Sequence, residues 1–250
     1  MTMFDLTGKV AIVTGSTRGI GRAIAQAMMD CGARVVISSE DEADTARAAT
    51  EMGALGIPCD VTDDAALGAL VDGAAAALGG IDIVVCNAGI TGRPGPFSTI
   101  DMDDYTRVMA INLRSQVVLC NLAFPHLRAR GGNAVLIASL SGLRGNGAIN
   151  AYALAKAGVA QLARNLAVEW GPDGVRANAI SPGFIATELS APLLANEAFM
   201  TRRMGMTPLR RPGRPEEVAG AAVFLASAAG GFVTGHNLVV DGGTLITDGS

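Results

Sequence analysis

The stretch VAIVTGSTRGIG, Val10 to Gly21, decides how the rest of the chain is read. Its first five residues form a short apolar run with β-branched members, the composition of a buried strand. A glycine-rich turn follows, and from Gly19 to about Cys31 the apolar residues recur at helical spacing. Glycine is required where a backbone turns tightly or approaches a ligand with no Cβ in the way. The free N–H groups at the start of the helix then face an anion, and a pyrophosphate fits there. The spacing is GxxxGxG, a variant of the GxGxxG dinucleotide turn, and its place between a strand and a helix strengthens the reading.

Outward from this unit, strands and helices alternate to the end of the chain. Arg34 to Ser38 reads as a strand, Asp41 to Met52 as a helix and Leu55 to Cys59 as a weak strand. A helix is expected from Thr62 to Leu78, opened by Thr62 with Asp63 and Asp64 in its first turn. Ile81 to Cys86 is a strand, and Asn87 to Phe97 a Gly- and Pro-rich loop. One long helical stretch is expected from about Met102 to Arg128, with Pro125 near its end. Ala134 to Ala138, the helix after Asn150 and Arg176 to Ser181 make another strand–helix–strand unit. After a loop from Pro182 come a helix from about Pro215 to Ala226 and a last strand at Asn237 to Val240. Short, nearly unbroken apolar strands separated by helices predict an α/β fold, a doubly wound parallel sheet of Rossmann-like type, in a single domain over residues 1–250.

Half of the 250 residues are apolar and 17% are charged, enough apolar matter for a large core and for surface hidden in an oligomer. The net charge is −4 and no Lys/Arg block occurs, which argues against nucleic acid and anionic membranes as partners. The start reads without a signal peptide, and no apolar run approaches the length of a bilayer span. Cys31, Cys59, Cys86 and Cys120 lack CxxC spacing, and with only His126 and His236 beside them no metal site is expected. Reduced thiols and a cytoplasmic location follow as expectations.

A second stretch, SLSGLRGNGAINAYALAK from Ser139 to Lys156, carries the chemistry. In a helix after Asn150, Tyr152 and Lys156 stand at i and i+4 on one face. A fixed ammonium favours the phenolate, so Lys156 would bring Tyr152, with an ordinary pKa of about 10, toward acid/base work near neutral pH. Ser139, ending a strand, would hydrogen-bond the oxygen that gains or loses the proton. On spacing alone, a half-buried Tyr152 and a solvated Lys156 explain the pair as well. Glu40, nineteen residues past Gly21, reads either as an acid for the adenosine ribose hydroxyls or as an exposed helix-start acid beside Asp41. Arg18 opposes it as a site for a 2′-phosphate. Asp60 reads as an adenine contact or a turn aspartate, and Asn87-Ala88-Gly89 as small residues beside the cofactor or simply a turn.

Taken together these motifs resemble the short-chain dehydrogenase/reductase family, in its single-domain branch of about 250 residues, which includes 3-oxoacyl-carrier-protein reductase-like and secondary-alcohol dehydrogenase members. Thr14 to Gly21 is similar to its TGxxxGxG, Asn87 to Gly89 to its NAG, and Asn112 to its helix asparagine. Ser139 with Tyr152 and Lys156 is similar to its serine and YxxxK pair. Pro182-Gly183 with Thr187 resembles its proline-glycine segment, and Val240 to Gly243 its C-terminal signature.

The resemblance implies an NAD(P)(H)-dependent oxidoreductase that interconverts a ketone and a secondary alcohol. Tyr152 would be the acid/base, and Lys156 would tune it and hold the nicotinamide ribose. Ser139 would orient the substrate oxygen, and Asn112 would hold a relay water. Implied cofactor contacts are Gly15, Thr17, Arg18, Gly19, Ile20, Gly21, Ser39, Glu40, Asp60, Val61, Asn87, Ala88 and Gly89. Tyr152, Lys156, Pro182, Gly183, Ile185 and Thr187 complete them. Many NAD-type members carry aspartate where Ser39 stands, and many NADP-type members follow Ser-Ser with arginine. Glu40 reverses that charge, so the expectation leans to NAD(H) over NADP(H).

A substrate lid is expected over residues 188–211, rich in Leu, Met and Phe, with an amphipathic helix packed on its own core or a neighbouring subunit as the competing reading. Arg93, Arg144, Arg202 and Arg203 include a candidate carboxylate anchor among arginines that are ordinarily solvated. The partner is a small carbonyl or alcohol, and the resemblance implies a homotetramer. A sugar epimerase or dehydratase is disfavoured for want of a second domain. A catalytically silent cofactor-binding regulator or scaffold on the same fold is the alternative, opposed by the presence of Asn112, Ser139, Tyr152 and Lys156 together.

Overall fold

The computed structural model describes residues 3–247. Its strands are β1 (Val10–Thr14), β2 (Arg34–Ser38), β3 (Leu55–Gly56), β4 (Ile83–Cys86), β5 (Asn133–Ile137), β6 (Arg176–Pro182) and β7 (Asn237–Val240). They form one sheet in the order β3-β2-β1-β4-β5-β6-β7, every neighbouring pair parallel. The main helices are α1 (Gly19–Asp30), α2 (Glu42–Met52), α3 (Asp64–Leu78), α4 (Met102–Met109), α5 (Ser115–Arg130) and α6 (Asn150–Trp170). Short α7 (Ala191–Leu194) and α8 (Glu197–Gly205) precede α9 (Pro215–Ala226).

Because strand side chains alternate, each strand serves both faces. Ile12, Val36, Val84 and Leu136 point to one side, where Leu67, Leu119 and Val159 bring in α3, α5 and α6. Val13, Ile37, Val85 and Val135 point to the other, against Ile24 of α1 and Val218 and Ala222 of α9. Each such fully buried aliphatic side chain contributes about 1.5–3 kcal/mol, which is why the strands read as unbroken apolar runs.

Four expectations are corrected. β3 is only two residues long, Leu55–Gly56, although Ile57 and Cys59 still donate to the Ile37 and Ser39 carbonyls at 3.0 and 2.8 Å before the turn around Asp60. The cap of α3 is Asp63, which accepts from the Ala65 N–H at 2.8 Å; Thr62 is occupied instead, donating both N–H and O–H to Asp60. The stretch from Met102 is not one α-helix, because a π turn at Ala110–Arg114 separates α4 from α5. Pro125 lies inside α5 without ending it, and Asn121, whose carbonyl loses its partner, is exposed. Finally, the 29-residue helical stretch Met102–Arg130 has a window of mean hydropathy 1.2, long and apolar enough by those two measures to cross a membrane. In the fold that composition has another use, since Leu119, Cys120, Ala123 and Leu127 lie against the sheet.

At the amino edge of the sheet, one acid is enclosed. Asp82, 2% exposed, accepts from the Val10 N–H at 3.0 Å and from Lys9 and Arg130 at 3.1 Å each. Charge and lone pairs are both matched, as a buried carboxylate requires.

Candidate active site

Parallel strands bring all their carboxyl ends to the opposite edge. β1 and β4 are neighbours there, with the chain running outward to β2 on one side and β5 on the other, so a crevice opens between the two loops that follow them. The loops are stitched together. Thr14 Oγ1 accepts from the N–H groups of Asn87 and Ala88 at 3.0 and 3.2 Å, and Asn87 Nδ2 donates to the carbonyls of Thr14 and Gly15, both at 2.9 Å. A Cβ on Gly21 would lie 2.2 Å from the Gly15 carbonyl oxygen, so only glycine lets this turn close.

The start of α1 differs from its neighbours. α2, α3 and α4 open on Asp41, Asp63 and Asp101, each accepting from first-turn N–H groups, with further acids beside them. α1 opens on Arg18, with no side-chain cap and no acid in the first turn. The donors that the other helices satisfy internally are left for an anion. Gly89 lies farther along the crevice, where an added Cβ would come 2.8 Å from Asn112 Oδ1 and 3.5 Å from Lys156 Nζ. An open helix terminus, a turn with no Cβ at Gly15, Gly19 and Gly21, and a second Gly-lined wall fit a nicotinamide dinucleotide. Thr17, Arg18, Gly19, Ile20 and Gly21 would hold its phosphates, and Asn87, Ala88 and Gly89 its middle.

The predicted catalytic side chains come together on this edge. Ser139 directly follows β5, while Tyr152 and Lys156 lie on α6. Lys156 is 3% exposed, donates to the Ile137 carbonyl at 2.6 Å and has its Nζ 5.7 Å from the Tyr152 ring centroid. Burial pulls its pKa down to about 8, with Cys86 acting weakly the other way. The expected lowering of Tyr152 by Lys156 is not the dominant effect among the protein's own groups. Burial raises the phenol, and a hydrogen bond from Ser139 works against that rise.

Asn112 is fully buried within the π turn. Its side chain is engaged at both ends: Oδ1 accepts from the Ile90 N–H at 2.8 Å and Nδ2 donates to the Ile90 carbonyl at 2.7 Å. That two-point clamp fixes the loop after β4, and the backbone carbonyl of Asn112 accepts from Gln116 Nε2 at 3.0 Å.

Other predicted residues take defined places. Glu40 is exposed and accepts from Ser39 Oγ at 3.2 Å, beyond β2 on the rim. Asp60 is engaged in its own turn with Thr62, with half-buried Val61 between them. Pro182 ends β6, and Gly183 packs so closely that a Cβ would stand 2.7 Å from Asp241. Ile185 is 7% exposed and bridges to Gly213, so it is mainly a core residue. Thr187 lies over Gly19, within 3.6 Å of where a Cβ would be. Ile90, Gln116 and Ile137 escaped the sequence reading because they act through backbone or buried contacts with no motif of their own.

A family model described as enoyl-(acyl carrier protein) reductase matches residues 15–244. Cis-4-hydroxycyclohexanecarboxylate dehydrogenase of Sinomonas cyclohexanicum is 42% identical over 241 residues, 94% of this chain and 96% of that one. Gluconate 5-dehydrogenase of Burkholderia cenocepacia, solved with NADP and tartrate, is 35% identical with a TM-score of 0.92 over 98% of both chains. A 7α-hydroxysteroid dehydrogenase solved with NADH and 7-oxoglycochenodeoxycholic acid is 35% identical with a TM-score of 0.91 over 96% of both. The sheet order, the open glycine turn and these full-length likenesses agree, and the chain belongs to the short-chain dehydrogenase/reductase family of NAD(P)-dependent oxidoreductases.

Proposed function

We propose that the enzyme interconverts a secondary alcohol and a ketone, with Tyr152 as the proton-transfer group. The observation that carries this reading is the buried Lys156, with no acid partner among the described residues, beside Tyr152 on the edge where Ser139 and the glycine turn also lie. When bound, a nicotinamide accepts or supplies the hydride. In oxidation, Tyr152 takes the hydroxyl proton while the carbinol hydrogen leaves as hydride; in reduction, it protonates the forming alkoxide. Ser139 donates to the same oxygen, and Lys156 supplies the positive charge that favours phenolate as the proton leaves. Asn112 holds the loop through Ile90, and its carbonyl anchors the water that returns protons from solvent. The segment 188–211, with α7 and α8, serves as the lid.

Glu40 on the rim of β2 supports NAD(H) over NADP(H), since its carboxylate would repel a 2′-phosphate. Arg18, exposed beside Arg22 and Arg47, argues the other way, but Arg22 is paired with Glu51 and Arg47 with Asp44. A homotetramer is supported by apolar side chains left exposed on α5 and α6, among them Leu122, Leu154 and Val168. The four free cysteines suit a reducing, cytoplasmic setting.

The test is a panel of ketones and alcohols with both nicotinamides, followed by absorbance, on wild type and Tyr152→Phe. The variant should lose turnover by about 10²–10⁴-fold while binding cofactor normally. Undiminished turnover would assign the proton transfer elsewhere, and a wild type that binds cofactor but converts nothing would favour a silent regulator.

A further inference from the structure

Many arginines of this protein are paired with an acid. Arg22, Arg47, Arg93, Arg107, Arg114 and Arg211 each have an acid within 2.8 Å. Arg203 of α8 has none among the described residues, although its Nε is buried and without a hydrogen-bond partner. A buried N–H of a charged group left without an acceptor is costly, and native proteins rarely keep one without use.

Its position is set by the fold. The Arg203 carbonyl accepts from Thr207 Oγ1 at 2.9 Å, and Thr207 is hydrogen-bonded to Thr244 at 3.0 Å, which ties the end of α8 to the loop after β7. The start of α8 is held by an edge-to-face contact of Phe199 with Phe184, two residues beyond Pro182, with ring centroids 5.4 Å apart. The helix therefore spans the loops that follow β6 and β7, on the carboxyl edge.

The charges around Arg203 do not neutralise it. Burial and the charges of Arg144 and Arg202 lower its pKa, and Asp241 alone opposes them. The Asp241 carboxylate is committed to its own turn, accepting from Gly243 N–H at 2.8 Å and Leu245 N–H at 2.6 Å. Arg144 lies five residues after Ser139, on the connection that leads to Tyr152, and no acid pairs with it among the described residues. Arg93, by contrast, is spent on Asp101, and Arg202 is exposed.

Arg203 thus stands on α8 with a buried Nε–H that has no partner among the described residues, and its charge is felt by Arg144 and Arg202 and opposed by Asp241. A planar carboxylate is the acceptor that a guanidinium fork matches. We infer that Arg203, with Arg144 beside it, anchors a carboxylate borne by the substrate, so that the alcohol oxidised belongs to a hydroxy acid and the ketone reduced to an oxo acid. The inference rests on the reaction proposed above.

The experiment compares 3-hydroxybutyrate and 4-hydroxycyclohexanecarboxylate with their methyl esters on the full chain, with both nicotinamides. A binding arm follows by calorimetry, using cyclohexanecarboxylate and inorganic phosphate against the enzyme–cofactor complex. Acids should exceed their esters in kcat/KM by about 10- to 100-fold. Arg203→Met should remove that advantage through KM with kcat little changed, and Arg203→Lys should restore part of it. Arg144→Gln, on an exposed connection and safe for folding, should do the same more weakly. Equal rates on acid and ester, or an unaltered preference in Arg203→Met, would overturn the anchor while leaving the alcohol–ketone reaction standing. If no compound turns over, cyclohexanecarboxylate binding that Arg203→Met abolishes supports the anchor and counts against the reaction instead. Binding of phosphate but not of the carboxylate overturns it.

Discussion

The two edges of the sheet treat a buried charge in opposite ways. At the amino edge, Asp82 is surrounded by the Val10 N–H, Lys9 and Arg130. At the carboxyl edge, Lys156 is equally buried but has one carbonyl and no acid among the described residues. A matched charge contributes to holding strands together, and removing one partner costs several kcal/mol. An unmatched one is stability forgone, and its pKa moves until the neutral form competes. The same chain thus uses its buried charge for structure at one end and, in the reaction proposed, for proton transfer at the other.

Gly21→Ala should break the open edge most completely, because the new Cβ would meet the Gly15 carbonyl at 2.2 Å; cofactor binding measured by calorimetry should vanish. Lys156→Met comes next. It should lower kcat by about 10²–10³-fold while the melting temperature holds or rises, since an uncompensated charge has been removed. The corresponding pH effect has a definite sign. Lys156 titrates near 8 in the fold and near 10.5 unfolded, so between those values the unfolded chain binds more protons and stability rises with pH. The rise amounts to about 3 kcal/mol and should be absent from Lys156→Met in denaturant titrations across that window.

Asp82→Asn tests the closed edge. It should cost about 2–3 kcal/mol in denaturant titration, because Lys9 and Arg130 are partly exposed and turn to water, and should leave kcat/KM unchanged. The smallest effect belongs to the rim, where Glu40→Arg should shift the kcat/KM ratio of NADPH to NADH upward by about 10-fold. A shift of that size with no change in melting temperature would confirm that Glu40 faces the cofactor rather than only the start of α2.

The contrast also explains what could be read from the chain alone. β1, the glycine turn and α1 were legible because strand, turn and helix signals there are contiguous, and β7 and α9 lie where their apolar patterns place them. Tyr152 and Lys156 share a helix, so their spacing survives translation into geometry. The clamp of Asn112 on Ile90 was not legible, because it joins residues 22 apart through backbone atoms that any residue would offer. The direction of the Tyr152 shift failed for a related reason. Spacing shows that an amine is near but not how deeply the phenol is enclosed, and enclosure dominates. Among the four candidate arginines, only the folded chain separates Arg93, which has an acid, from Arg203, which has none among the described residues.

The π turn at Ala110–Arg114 has a consequence for how this protein tolerates change in length. Forcing these residues into regular α-helix with none removed would rotate everything downstream by about 100°. Leu119, Cys120 and Ala123 would swing off the sheet, while the Asn112 amide would leave Ile90. Segment length at this point is therefore under double control, by packing on one side and by crevice geometry on the other. A redesign that idealised the helix for stability would give up the wall of the proposed active-site crevice.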